Sequence, residues 1–159
     1  MSPTVVIDAS VWVSQWRPQD ANHDASRQWI ERYAAEGGHV VASSFLSIEV
    51  AAAISRRTGD SSLAKEAVRK LHSFDAMHFV PMDSALVQAA VDVATDLQLR
   101  AGDAIYVALA HQMNIPLVSW DKEQLQRASR LIATYTPDNY VFPGDSEKSN
   151  NEHGEDVAP

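Results

Sequence analysis

The chain contains no cysteine. That excludes a disulfide framework, thiolate zinc sites and a cysteine nucleophile, and it fits a reducing, cytoplasmic setting. No apolar stretch reaches the roughly 18 residues of a membrane span, so no membrane association is expected. The opening Met1-Ser2-Pro3-Thr4-Val5-Val6-Ile7-Asp8 has no basic segment ahead of a long apolar core, and no signal peptide is expected. Internal repeats are absent. Basic residues are the minority, 13 Lys and Arg against 21 Asp and Glu, for a net charge of −8. The deficit is uneven, because 16 of the 21 acids and 12 of the 13 bases lie in residues 1–143, a net of −4. Phosphate neutralisation dominates general affinity for nucleic acid, so a mildly acidic body is a poor general binder. A nucleic-acid role would have to rest on a local basic patch and a bound metal.

What is present, in 159 residues, is one domain's worth of core. Short apolar runs at 4–8, His39 to Ala42, Met77 to Met82, Pro116 to Ser119 and Leu131 to Tyr135 read as strands. Between them, helical patterns run over Ser10 to Ser14, His23 to Ala35, Phe45 to Arg57, Ser61 to Ser73, Ser84 to Leu97, Asp103 to Met113 and Lys122 to Ser129. In the Ser61 helix, Leu63, Ala67, Val68 and Leu71 share the expected inner face. Strands without polar alternation are those covered on both faces, as in a parallel sheet. The expectation is an α/β three-layer sandwich over residues 1–143. Residues 144–159, acidic with little to bury, are expected to be a disordered tail.

Four carboxylates sit where carboxylates are costly. Asp8 and Asp121 follow apolar strands, and that edge of an open α/β sheet is where ligands bind. Glu49 interrupts the apolar helix from Phe45 to Ile54, and Asp103 shares a stripe with Tyr106, Val107 and Ala110. Each has a plainer reading. Asp8 and Asp121 can cap helices, Asp103 suits a helix N-terminus, and Glu49 can pair with Arg56 or Arg100. Capping does not explain why all four should converge. An all-oxygen donor set favours Mg²⁺ or Mn²⁺, and converging acids with one or two such ions are a usual apparatus for phosphodiester hydrolysis.

These residues resemble the PIN-domain ribonucleases, and in particular the VapC-like toxins of toxin–antitoxin pairs. The opening Val5-Val6-Ile7-Asp8-Ala9-Ser10-Val11-Trp12 matches the first acidic motif, and Leu46-Ser47-Ile48-Glu49-Val50-Ala51 the second. The run from Leu99 to Ala110 around Asp103 matches the third, and Pro116-Leu117-Val118-Ser119-Trp120-Asp121 the fourth. The acids are spaced by 41, 54 and 18 residues. The resemblance spans nearly all of residues 4–135 and implies a five-stranded parallel sheet in the order 3-2-1-4-5. It implies Mg²⁺- or Mn²⁺-dependent endoribonuclease activity, with Asp8, Glu49, Asp103 and Asp121 as metal-holding catalytic acids and Ser10 and Ser119 orienting them. It also implies an RNA substrate, a homodimer, and an antitoxin whose basic tail enters the acidic cleft. One departure is Ala52, where many relatives carry asparagine.

Arg100, Lys122 and Arg17, with Arg56 and Arg57, are the candidates for RNA phosphates. Trp12, Trp16 and Trp120 flank the motifs and could stack a base, pack in the core or form a dimer face. The apolar residues of the His23 and Ser61 helices could likewise serve a dimer or the core. Asp8-Ala9-Ser10 is similar to the opening of haloacid-dehalogenase-like phosphatases, but Ser10 stands where a second acid is needed and no later lysine motif follows. A response-regulator receiver would need paired acids after the first strand, which are absent. The remaining alternative is a PIN-fold binding or regulatory module with a structural metal and little nuclease activity.

Overall fold

The computed structural model describes residues 2–145. Five strands form one parallel sheet in the order β3-β2-β1-β4-β5: β1 Thr4–Ile7, β2 His39–Ser43, β3 Met77–Val80, β4 Leu117–Val118 and β5 Thr134–Tyr135. The helices are α1 Ala9–Gln15, α2 His23–Ala35, α3 Phe45–Thr58, α4 Ser61–His72, α5 Ser84–Leu97, α6 Ala101–Met113 and α7 Lys122–Ala128. The strand order grows in one direction from β1 to β3 and in the other from β4 to β5. Right-handed crossovers therefore send α1–α4 to one face and α5–α7 to the other, giving the expected three layers. Central β1 is closed on both faces, with Val5 and Val6 at 0% exposure.

The outer strands are shorter than the apolar runs implied. β4 and β5 have two residues each, and β3 ends at Val80. Their flanking residues still serve the sheet, because Pro116 and Ala133 carbonyls accept from Val6 and Leu117. Helix α6 starts two residues before Asp103, with Arg100 as its N-cap. Ser43, not the N-cap Ser44, supplies the hydroxyl that accepts from the Phe45 amide at the head of α3. In α4 the inner face is Ala64, Ala67 and Leu71, and Leu63 is exposed instead.

The aromatic face of α2 is spoken for. Trp29 and Tyr33 stack at 4.9 Å, and Tyr140 and Phe142 close over them edge-on or tilted. Arg32 caps Phe142 from 3.8 Å and donates to Asp145 at 2.9 Å. Trp29, Ile30 and Tyr33 are thus core residues, and this face is closed to a dimer partner. Asp145, assigned to the tail from sequence, is held against α2; the rest of that tail expectation falls on 146–159, outside the described residues.

Candidate active site

β1 and β4 are neighbours, so their carboxyl ends lie side by side. The Asp8 amide donates to the Val118 carbonyl at 2.9 Å, which fixes where β1 stops and Asp8 begins. Asp8 then caps α1, its Oδ2 accepting from the Ser10 amide at 2.9 Å. Asp121 caps α7 in the same way, through the Gln124 amide at 3.0 Å. Both capping readings are therefore right, and capping is what aims these carboxylates along the sheet edge.

The two serines sit between them. Ser119 is fully buried; its Oγ accepts from the Asp121 amide at 3.0 Å and lies 3.3 Å from Ser10 Oγ. Ser10 Oγ in turn accepts from the Trp120 amide at 3.1 Å. They stitch the β1 and β4 loops into one rigid edge.

Glu49 approaches from α3 and Asp103 from α6. The partner of Glu49 is neither Arg56 nor Arg100 but Tyr106, whose buried hydroxyl donates to Glu49 Oε2 at 2.5 Å. Gly102 makes room, since a Cβ there would stand 2.6 Å from Glu49 Oε1. Asp103 is tied to Arg100, whose Nε donates to Oδ2 at 3.0 Å, while Arg100 Nη2 reaches Asp121 Oδ2 at 2.7 Å. Gln124 Nε2 lies 3.4 Å from both Asp8 Oδ1 and the Asp103 carbonyl.

Asp8, Glu49, Gly102 and Asp103 line one cavity of about 600 Å³, with Ala52, Arg56, Arg57, Arg100 and Trp120 also on its wall. Asp121 stands behind Arg100 and is not part of the lining. Burial raises the Asp8 carboxyl above its ordinary value, against the pull of hydrogen bonds from Ser10, Gln124 and Ser119. Glu49 is raised first by burial and then by the charges of Asp8 and Asp103, with Tyr106 opposing. Asp103 is raised by burial, with Arg100 opposing and Asp8 and Asp121 adding to the rise. Three acids thus share one cavity and repel one another across it.

The donor set fits a hard divalent cation. All its ligand atoms are oxygens, its charges lack full neutralisation, and Gln124 Oε1 is buried with no hydrogen-bond partner beside it. Yet among the described residues no group of three or more His, Asp or Glu side chains is gathered tightly enough to hold an ion as it stands.

Of the basic candidates, Arg56, Arg57 and Arg100 line the cavity, whereas Lys122 does not and Arg17 pairs with Asp20 at 3.7 Å. Trp12 is core, edge-on to Phe74 at 5.4 Å. Trp120 lines the cavity, pinned by its indole N–H to Ser26 Oγ at 2.7 Å. The sequence reading missed the roles of Tyr106 and Gln124. Tyr106 falls on the Asp103 stripe at i+3, and Gln124 in the capping-box position, so each had an ordinary reason to be there.

A parallel α/β sandwich with an acid-lined cavity at the carboxyl edge of its central strands belongs to the class of open α/β proteins that bind ligands at that edge. The chain belongs to the PIN domain family, whose profile matches residues 5–131. No curated protein matches it. Among solved structures it is similar to VapC20 of Mycobacterium tuberculosis, a toxin that cleaves the sarcin–ricin loop, with 18% identity, a TM-score of 0.64, and 76% of this chain and 92% of that one covered. It is similar to FitAcB of Neisseria gonorrhoeae, at 15% identity and TM-score 0.63, with 86% and 99% covered. It is also similar to VapBC2 of Rickettsia felis bound to a DNA fragment from its promoter, at 14% identity and TM-score 0.63, with 83% and 98% covered. At these identities the likeness is one of fold. Among the described residues no helix is long and apolar enough to cross a membrane.

Proposed function

We propose that this chain is a Mg²⁺- or Mn²⁺-dependent endoribonuclease and the toxin of a cytoplasmic toxin–antitoxin pair. The observation that carries the reading is the convergence of Asp8, Glu49 and Asp103 on one cavity, each carboxyl raised by burial, and those of Glu49 and Asp103 also by the neighbouring acids. Such an arrangement is costly to the fold and is understandable as a site built for added positive charge. Asp8, Glu49, Asp103 and Asp121 would hold one or two ions. When bound, these would polarise the scissile phosphate and lower the pKa of an attacking water. Ser10, Ser119, Gln124 and Tyr106 fix the carboxylates in place. Arg56 and Arg57, which have no acidic partner among the described residues, would take flanking phosphates of a single strand threaded past Trp120.

An apolar groove of about 740 Å³ between α3 and α4, with Ile48 65% exposed, supports the antitoxin as a protein partner. Ala52 lies in both the groove and the acid cavity, so one peptide could fill the first and place a basic residue in the second. A homodimer would have to use surfaces other than the closed face of α2.

The reading is tested by incubating the protein with total RNA in Mg²⁺, in Mn²⁺ and in chelator, beside Asp8→Asn and Asp103→Asn. Metal-dependent cuts at discrete sites, lost in both variants, are expected. A folded protein that cuts nothing under any condition would overturn it. That result would favour the binding-module alternative, to which the Arg100 bridge already lends some support, since it leaves the acids partly neutralised without an ion.

A further inference from the structure

Among the described residues, Arg100 is the one basic residue that ion-pairs with two of the four acids. It sits at the N-cap of α6 in extended conformation, with φ −65° and ψ 153°, so its side chain leaves the helix end. Its fork is split: Nε goes to Asp103 and Nη2 to Asp121, residues that belong to opposite sides of the β4 crossover. The arginine is 76% exposed while its two partners are 19% and 25% exposed, so an exposed group covers two largely buried ones. Among the described residues Asp8 and Glu49 have no ion-paired basic partner, although the Arg100 charge also acts on Glu49.

We propose that Arg100 is a built-in counter-ion that competes with the divalent cation for Asp103 and Asp121, and so sets how much cation the site requires. The inference rests on the metal-dependent reading above. The physical basis is that a guanidinium bridging Asp103 Oδ2 and Asp121 Oδ2 and a divalent ion compete for the same carboxylates. Exposed ion pairs are individually weak, so the arginine is displaceable, and binding the metal must include the loss of both pairs. Removing the arginine removes that loss.

The test is calorimetric titration of Mn²⁺ into the full-length protein, with no RNA present. Arg100→Gln is expected to bind Mn²⁺ about tenfold tighter than the parent, equivalent to about 1.4 kcal/mol. Arg100→Lys, which keeps the charge but not the two-pronged fork, should fall between them. Arg56→Gln removes a charge from the same cavity without touching Asp103 or Asp121, and should gain no more than about twofold. Thermal denaturation in chelator verifies that each variant is folded. Equal or weaker Mn²⁺ binding by Arg100→Gln overturns the inference, as does an equal gain from Arg56→Gln, which would make the effect a general field. If the parent binds Mn²⁺ and Arg100→Gln does not differ, the metal reading survives and only this inference fails. If neither protein binds Mn²⁺, both fail.

Discussion

The inner and outer halves of the cavity hold their acids by different means. Asp8 and Glu49, inside, are fixed by uncharged donors: a backbone amide and the Tyr106 hydroxyl. Asp103 at the rim, and Asp121 just outside the lining, share one exposed guanidinium. A neutral donor orients a carboxylate without cancelling its charge, whereas an arginine does both. The inner half is thus preorganised with its charge uncancelled, whereas the outer half, where burial still raises Asp103, can exchange its partner. Charge left uncancelled costs stability, a cost expected where a site is built to attract a cation.

The largest effect should come from testing the two halves with one chemical change. Asp8→Asn keeps the N-cap, because asparagine caps as well as aspartate, but it removes an inner charge. Cleavage should fall by more than about 100-fold, since even residues that merely support metal ligands cost about 10–100-fold. In chelator at neutral pH, the same variant should be more thermally stable than the parent. Asp121→Asn should also lose activity, yet its stability should drop by up to about 1 kcal/mol as an exposed ion pair goes. Opposite signs in denaturation would sharpen the contrast between halves, and like signs would break it.

Tyr106→Phe probes the inner half alone. The half-buried Glu49 carboxylate loses its hydrogen bond, at up to about 1–3 kcal/mol. Cleavage should fall about 10–100-fold. Because that hydrogen bond is what draws the Glu49 carboxyl down, the acid limb of the pH–rate profile should move to higher pH. A uniform loss of rate with no movement of the limb would mean that Tyr106 serves packing only.

Much of this was legible because it rests on period and order. The four acids stand out against apolar neighbours, and β1 and β4 follow from unbroken apolar runs ended by Asp8 and Ser119. What could not be read lies in pairings across the sheet. Nothing near Glu49 in the chain names Tyr106, 57 positions away, as its partner. The aromatic residues of α2 gave no hint that Tyr140 and Phe142 would close over them, because a helix's apolar face reads alike whether its cover is the same chain or another. Arg17 and Lys122 were candidates by sequence proximity alone, and in the fold an ion pair engages the first and the second does not line the cavity.

The pH dependence of folding follows from the raised carboxyls of Asp8, Glu49 and Asp103, whose ordinary values are 3.8, 4.5 and 3.8. Above those values the native state binds more protons than the unfolded chain, so stability must fall as pH rises through the window up to the raised native values. The metal-free protein should therefore melt a few degrees higher in mild acid than at neutral pH. Asp8→Asn should flatten that slope, and saturating Mn²⁺ should reverse it. A slope unchanged by Asp8→Asn would place the strain outside the inner half.

Gly102→Ala should give the smallest change in stability and a specific change in function. Alanine is favoured over glycine within a helix by about 1 kcal/mol. Against this, the new Cβ would meet Glu49 Oε1 at 2.6 Å, a contact relieved by moving the far end of one flexible side chain. The two effects nearly offset, so the melting temperature should stay within a few degrees of the parent. The carboxylate of Glu49, however, must shift away from α6 and loosen its bond to Tyr106. Misplacement on this scale can cost up to about 100-fold in rate, and a loss of about tenfold is expected here. A Gly102→Ala protein that cuts RNA at the parental rate would show that the inner half tolerates movement after all. Preorganisation would then not distinguish it from the rim.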